Sequence, residues 1–292
     1  MYYKTMGYKL FSIANYIFLG FLSLLCILPL IHILAVSFSS MAPASSNLVT
    51  FWPIGFTMDA YEKTFGNANF LNSLLISGER TVLATVIGMF LVLLTAYPLS
   101  KDDQMFRGRS AYIWFFVFTL LFSGGLIPSY LLIQKLGLMN TIWALILPGA
   151  VSVWNIILML NFFRGLPKEL EEASFLDGAG QFKTLSLVYI PLSMPAIATL
   201  SLFTMVYQWN SWFDGMIYMS DIKKFPLASL LQTIIVQQDF SKINVDPKHL
   251  ENISQRTVRA AQIFIGALPI LLVYPFLQRF FVKGMVIGAV KE

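Results

Sequence analysis

Six apolar stretches, each as long as a membrane is thick and none alternating apolar with polar, predict an all-α integral membrane protein. The composition agrees. Hydrophobic residues make up 57% of the 292 residues, charged residues 12%, and the mean hydropathy is +0.70, outside the range of a soluble domain of this length. A helix needs about 20 apolar residues to cross hydrocarbon, because every backbone N–H and C=O must be paired internally there. A barrel strand would need about 10, apolar at every second position, whereas these stretches are apolar on consecutive positions.

The first predicted span covers residues 10–38. It follows Lys4 and Lys9 as a signal peptide would, yet its apolar run exceeds the roughly 7–15 residues of such a segment, so it is expected to be retained. It holds the only cysteine, Cys26, which excludes an intrachain disulfide and argues against a metal cluster. The remaining spans are predicted at residues 81–100, 111–134, 141–163, 192–219 and 261–281, all within one transmembrane domain, residues 1–292. Pro29, Pro98, Pro128, Pro148, Pro195, Pro269 and Pro275 fall within or beside them, where proline kinks a helix.

Two connections are long, residues 39–80 and 220–260, and mix apolar with polar residues as ordered segments do. In the second, Phe225 to Gln238 reads either as a short interfacial or partner-facing helix or as a loop folded back on the spans. The Asn252-Ile253-Ser254 sequon is formally a glycosylation signal and would mean nothing if the protein were bacterial. The net charge of +5 does not point to nucleic acid, since no basic stretch interleaves with aromatics outside the apolar runs; an aromatic content of 15% fits span packing and interfacial belts. Lys101, Arg107 and Arg109 crowd one short turn, which places that turn and both termini in the cytoplasm. Arg80 then falls at the end of an outer connection.

The connection at residues 164–191 is polar and acid-rich between two apolar runs, and on the cytoplasmic side by this topology. Pro167 suits a first helical turn, Glu169, Glu171 and Glu172 suit the positive amino end, and Gly178 and Gly180 suit the stop. Leu170, Ala173 and Leu176 recur at helical spacing. The prediction is a short amphipathic helix able to lie in a groove of another protein.

Glu172-Ala173-Ser174, then Gly178, then Val188-Tyr189-Ile190-Pro191 resembles the EAA loop of permease subunits in binding-protein-dependent ABC importers. That loop reads Glu-Ala-Ala, three residues, Gly, nine residues and Ile-x-Leu-Pro; Ser174, Val188 and Ile190 depart from it. Sugar-importing members continue as Asp-Gly-Ala, as in Asp177-Gly178-Ala179, with an aromatic such as Phe182 and a second proline like Pro195. The resemblance extends to Asn72-Ser73-Leu74, Ile127-Pro128-Ser129-Tyr130, Leu136-Gly137-Leu138-Met139-Asn140-Thr141, Leu147-Pro148, Trp209-Asn210, Lys283-Gly284 and Gly288-Ala289-Val290-Lys291.

It implies a type I ABC importer permease fold with six spans and a cytoplasmic coupling helix, in the bacterial cytoplasmic membrane. It also implies partners: a second homologous permease, two ATP-binding subunits and an extracytoplasmic sugar-binding protein. This chain would bind no cofactor and catalyse nothing, with ATP and Mg on the ATPase. Glu171, Glu172, Ala173, Ser174, Leu176, Asp177, Gly178, Ala179 and Phe182 would couple to it. The nearest resemblance is to permeases for oligosaccharides and polysaccharide fragments, uronic-acid-containing ones included.

Trp209, Asn210, Trp212 and Asp214 form the best polar and aromatic group within a predicted span. They suit a sugar path near its outer end, and equally an interfacial belt. The stretch Gly178 to Thr184 looks like a phosphate loop, but Phe182 stands where glycine must precede Lys183 and no strand leads in. His32 and His249 have no metal-ligand spacing and read as packed or solvated. Two other classes remain open. A secondary transporter would want several ionisable groups at the midplane, where Asp214 is the sole candidate. A membrane assembly subunit without transport is the other.

Overall fold

The computed structural model describes residues 5–241 and 255–289; His249, the Asn252-Ile253-Ser254 sequon, Val290 and Lys291 lie outside the described residues. Every described element is helical apart from one isolated bridge between Ser39 and Phe56. The helices are α1 (Met6–Ser37), α2 (Met41–Ser45), α3 (Asp59–Phe65), α4 (Ala68–Ser100), α5 (Arg109–Leu121), α6 (Leu126–Lys135) and α7 (Ile142–Ile146). Then follow α8 (Val153–Arg164), α9 (Lys168–Leu176), α10 (Gln181–Leu192), α11 (Met194–Asn210), α12 (Phe213–Tyr218), α13 (Leu227–Ser241) and α14 (Gln255–Ala289).

Three helices are long and apolar enough to cross a membrane by themselves, within α1, α4 and α14, and up to 6 spans result if each bent pair counts as one. The breaks have identifiable causes. The stretch predicted at residues 111–134 is divided into α5 and α6, 109° apart, where Gly124 and Gly125 intervene and Gly125 has φ +87°. Pro148 and Gly149, in a 3₁₀ turn after α7, set a 47° bend toward α8. Ser193 separates α10 from α11, which starts with Pro195 in its first turn, at 80°, and a π-helical turn at Leu185–Tyr189 lies inside α10. By contrast Pro29, Pro98, Pro269 and Pro275 lie inside continuous helices.

Boundaries also differ from expectation. Helix α4 starts at Ala68 rather than near 81, so Arg80 is interior to a helix and not on a loop. The fifth stretch ends at Asn210, with α12 a separate short helix. Helix α13 forms inside the connection predicted at 220–260, and its first turn is packed down: Leu227 and Ser229 are buried, the Leu227 N–H donates to Ser77 Oγ at 2.7 Å, and Ser229 Oγ donates to the Trp212 carbonyl at 2.6 Å.

The chain divides into two compact units, Met1–Leu71 with Ile234–Leu268, and Asn72–Thr233 with Pro269–Glu292. In the first, the apolar flanks of α1 are exposed and only Ala35, Val36 and Ser37 at its end are buried. There Phe38 stacks on Phe56 and Tyr61, Ser37 Oγ is 2.8 Å from the Tyr61 hydroxyl, and His32 Nδ1 donates to the Thr50 carbonyl at 2.7 Å.

The second unit is organised by α4. Its buried stripe reads Ser73, Ser77, Arg80, Ala84, Gly88, Val92, Ala96, Leu99, while Leu75, Val82, Val86 and Phe90 are exposed. A soluble helix has the reverse arrangement. In lipid, small and polar residues go inward because they allow close helix approach and hydrogen bonding, and apolar chains face hydrocarbon at no cost. Met89, Val92, Ala96, Tyr97 and Leu99 pack against Ile156, Met159, Leu160 and Phe163 of α8, Leu185 and Tyr189 of α10, and Leu200 of α11. A second cluster joins Ile133, Ala144 and Leu145 to Tyr218 and Met219. It is closed by Asn140 at φ +61°, whose N–H donates to the Tyr218 carbonyl at 3.0 Å and whose Oδ1 accepts from Ser220 N–H at 2.8 Å.

Candidate functional site

Helix α9 begins one residue later than expected: Pro167 is its N-cap, with ψ 128°, and Glu169 and Glu171 fill the first turn. It ends as the glycine spacing predicts. Gly178 has φ +77°, its N–H donates to the Phe175 carbonyl and the Ala179 N–H donates to the Ser174 carbonyl, both at 3.0 Å. This is a Schellman ending, and its left-handed position is the physical reason for glycine in the motif.

The helix presents two unlike faces. Leu170, Glu172, Ala173 and Leu176 are exposed, Leu176 at 89%, and so are Asp177 and, on α10, Phe182 at 79%. Glu171, Ser174 and Phe175 turn toward the bundle. Ser174 Oγ meets Thr184 Oγ1 at 2.5 Å, joining α9 to the start of α10, so the departure from alanine at this position adds a tie.

Glu171 does not face outward as its neighbour does. It is 8% exposed; Oε1 accepts from Lys101 Nζ at 2.6 Å and Oε2 from the Tyr189 hydroxyl at 2.6 Å. Lys101 Nζ also donates to the Tyr189 hydroxyl at 3.1 Å and lies 3.9 Å and 4.1 Å from the ring centroids of Tyr97 and Tyr189. Those rings and Phe163 meet edge to face, with centroids 4.9 to 6.4 Å apart. The Tyr97 hydroxyl donates to Gln181 Oε1 at 2.8 Å. Burial pushes the Lys101 ammonium below its ordinary value, and the Glu171 carboxylate pulls it back up.

Nearby, Lys168 Nζ donates to Asp102 Oδ2 at 2.6 Å in the open; the pairing holds the Asp102 carboxyl low and the Lys168 ammonium high. Two hollows flank α9 and α10, one of 410 Å³ lined by residues that include Arg164, Lys168 and Glu172, the other of 330 Å³ lined by Met105, Phe106 and Phe182 among others.

Sequence reasoning missed Lys101, Tyr97, Tyr189 and Gln181. In the sequence Lys101 serves only as a topology charge, one of three basic residues in a short turn. One signal was available: with Leu170, Ala173 and Leu176 on one face, Glu171 falls beside Ser174 and Phe175 on the other.

The second predicted group is only partly gathered. Trp209 lines a 230 Å³ apolar hollow with Gly78, Thr81, Leu202, Met205 and Pro269, Asn210 is exposed and bonds its own helix at Val206, and Trp212 meets Phe213 edge-on. Asp214 is paired with Arg80, which is 1% exposed. Arg80 Nε donates to Gln208 Oε1 at 3.0 Å and its Nη1 to the Ser211 carbonyl and Asp214 Oδ1, both at 3.2 Å. Its guanidinium therefore bridges the end of α11 and the start of α12. Gly215 is required there, since a Cβ would stand 2.2 Å from Ser229 Oγ.

A helical protein with up to 6 apolar spans, which keeps Leu170 and Leu176 off its own core while fixing their helix to that core by a buried ion pair, is of the class of multi-pass membrane proteins. The chain belongs to the family described as binding-protein-dependent transport system inner membrane component, whose model matches residues 5–287. It is similar to protein LplC of Bacillus subtilis strain 168, 39% identical over 289 residues, 99% of this chain and 97% of the relative. The polygalacturonan/rhamnogalacturonan transport system permease protein YtcP of the same strain is 39% identical over 288 residues, 97% of this chain and 99% of the relative. Among solved structures, a bacterial ABC transporter involved in the import of the acidic polysaccharide alginate matches with a TM-score of 0.84 and 30% identity, over 96% of this chain and 100% of that one. The chain is a permease subunit of an ABC importer.

Proposed function

We propose that this subunit forms half of the translocation path for an oligosaccharide derived from an acidic polysaccharide, delivered by an extracytoplasmic binding protein, and that α9 is its coupling helix. The observation that carries the reading is the pair of unlike faces on α9: Leu170, Ala173 and Leu176 uncovered, Glu171 buried. Helix-in-groove docking needs such an apolar stripe, and transmission needs the helix held from behind. Both termini and α9 then lie in the cytoplasm, a homologous permease supplies the other half of the path, and two partner subunits bind Mg and hydrolyse ATP. Closure of those subunits would displace α9 and rock the spans, provided the groove grips differently in the two nucleotide states.

The substrate class is supported by the polygalacturonan/rhamnogalacturonan permease and the alginate importer among the similar proteins. Asn210 and Trp212 contact sugar near the outer end of the path by this reading, with Trp209 behind them; Asp214 holds the wall through Arg80.

Purification of the complex from native membrane tests the assembly. A second permease and an ATPase are expected with the unaltered chain, and the ATPase is expected to be missing with Leu176→Arg; a homodimer without either would revive the secondary transporter. Uptake of labelled oligogalacturonides, with maltotriose as the neutral control, tests the substrate class: import of maltotriose alone would overturn it.

A further inference from the structure

Helix α9 is joined to its chain neighbours by short segments that contain glycine, and Ser174 ties it to the start of α10. Gly165 precedes it, and Gly178, Ala179 and Gly180 follow it. A lever hung on such connections would pivot on them and dissipate its displacement. The structure supplies a buried attachment to the end of α4 that skips the chain. Glu171 reaches Lys101, the residue after α4, and Tyr189, in the π-helical turn of α10, through separate carboxylate oxygens at 2.6 Å each. With each oxygen held by a separate donor, the carboxylate is fixed in orientation as well as in position.

Lys101 is fixed as firmly. Its ammonium sits against two aromatic faces and one hydroxyl, and its carbonyl accepts from Arg109 at the start of α5. The exposed pair Lys168–Asp102 repeats the same connection in solvent, where it holds little. Burial of Lys101 and Glu171, at 7% and 11% side-chain exposure, makes their pair the one that resists displacement.

We propose that Glu171 and Lys101 are positioning residues that lock α9 to α4, so that a displacement of α9 by a partner is delivered to the membrane helix rather than absorbed by the glycine-flanked connections. This rests on the reading of α9 as the coupling helix. Glu172, exposed on the next position, then meets the partner, and the two adjacent glutamates divide contact and transmission between them.

The test uses the whole complex in lipid nanodiscs, with nitroxide labels at Glu169→Cys on α9 and Val86→Cys on α4 in a Cys26→Ser background. Pulsed electron resonance reads their separation without nucleotide and after trapping with ATP and vanadate. The unaltered pair is expected to give one narrow distance in both states. Lys101→Met and Glu171→Gln are expected to widen it and make it differ between states, with loss of the stimulation of ATP hydrolysis by the binding protein while the ATPase still co-purifies. Lys101→Arg, which keeps the charge, is expected to restore the narrow distance.

Unchanged distances in Lys101→Met would overturn the clamp. Should that variant not accumulate, Tyr189→Phe removes one hydroxyl and leaves the rings: widening supports the clamp and an unchanged distance overturns it. Leu176→Arg separates the two ideas. Retention of the ATPase in that variant overturns the coupling-helix reading itself, whereas its loss together with unaltered distances in Lys101→Met leaves docking intact and removes only the clamp.

Discussion

Two buried cations, Arg80 within α4 and Lys101 just after its last residue, lie about six turns and roughly 30 Å apart, and the two are built for different tasks. Arg80 uses the planar fork of its guanidinium to hold three partners in fixed directions: Gln208, the Ser211 carbonyl and Asp214. It thereby fixes the turn where α11 ends and α12 begins. Lys101 is a compact charge held by one carboxylate, one hydroxyl and two aromatic faces. Arg80 joins consecutive parts of one wall, whereas Lys101 joins α4 to a helix whose other face is uncovered. The sequence offers Asp214 equally to a sugar path and to an interfacial belt, and the resemblance implies a coupling role for Glu171. In both cases a cation in or just after α4 pairs with the carboxylate, because an ionisable group among apolar helices needs a counter-charge before it needs a ligand.

The sharpest way to break this comparison is Arg80→Met. It leaves Asp214, Gln208 and the Ser211 carbonyl without their donor, and a loss of about 3–5 kcal/mol is expected for one partner removed from a buried pair. Asp214 is 24% exposed, so the lower end applies. Heat-induced aggregation of the solubilised complex reads it. Arg80→Lys should recover little, since a single ammonium cannot span three acceptors, whereas Lys101→Arg should be tolerated better; equal tolerance at both positions would erase the distinction.

Glu171→Ala comes next, expected to cost about 3 kcal/mol by stranding Lys101 in an apolar setting. The same change at its exposed neighbour, Glu172→Ala, should leave the melting midpoint unmoved and weaken ATPase recovery instead. Gly178→Ala should cost about 1–2 kcal/mol, the strain of a left-handed residue with a Cβ, and should fray α9 by protease cleavage after Leu176. Ser174→Ala removes one hydrogen bond, about 1 kcal/mol, and restores the alanine of the resembled motif.

The smallest effect belongs to the exposed pair. Asp102 titrates below its ordinary value, so its contribution is present above that value and lost as pH falls through the lowered one. Lys168 titrates above its ordinary value, so its contribution is present below that value and lost as pH rises through the raised one. The Asp102–Lys168 tie is therefore constant from about pH 5 to 9, and Asp102→Asn should not shift the thermal midpoint measurably at any pH in that window.

Much of this molecule is legible in its sequence. Consecutive apolar runs determine a helical membrane protein, since only helices pair their own backbone in lipid. The Pro167 to Gly178 punctuation determines α9 and its Schellman stop, because those are local backbone preferences. The tertiary structure decided where the runs break and which way the charges face. Gly124 and Gly125 do not announce a 109° turn, and proline occurs both at breaks and inside continuous helices, because a break depends on whether neighbouring helices receive the freed backbone groups. Glu171 and Glu172 are identical and adjacent in sequence. Only the packing of α4, α8 and α10 around Lys101 makes one of them an internal tie and leaves the other exposed, since the counter-charge comes from a residue 70 positions away.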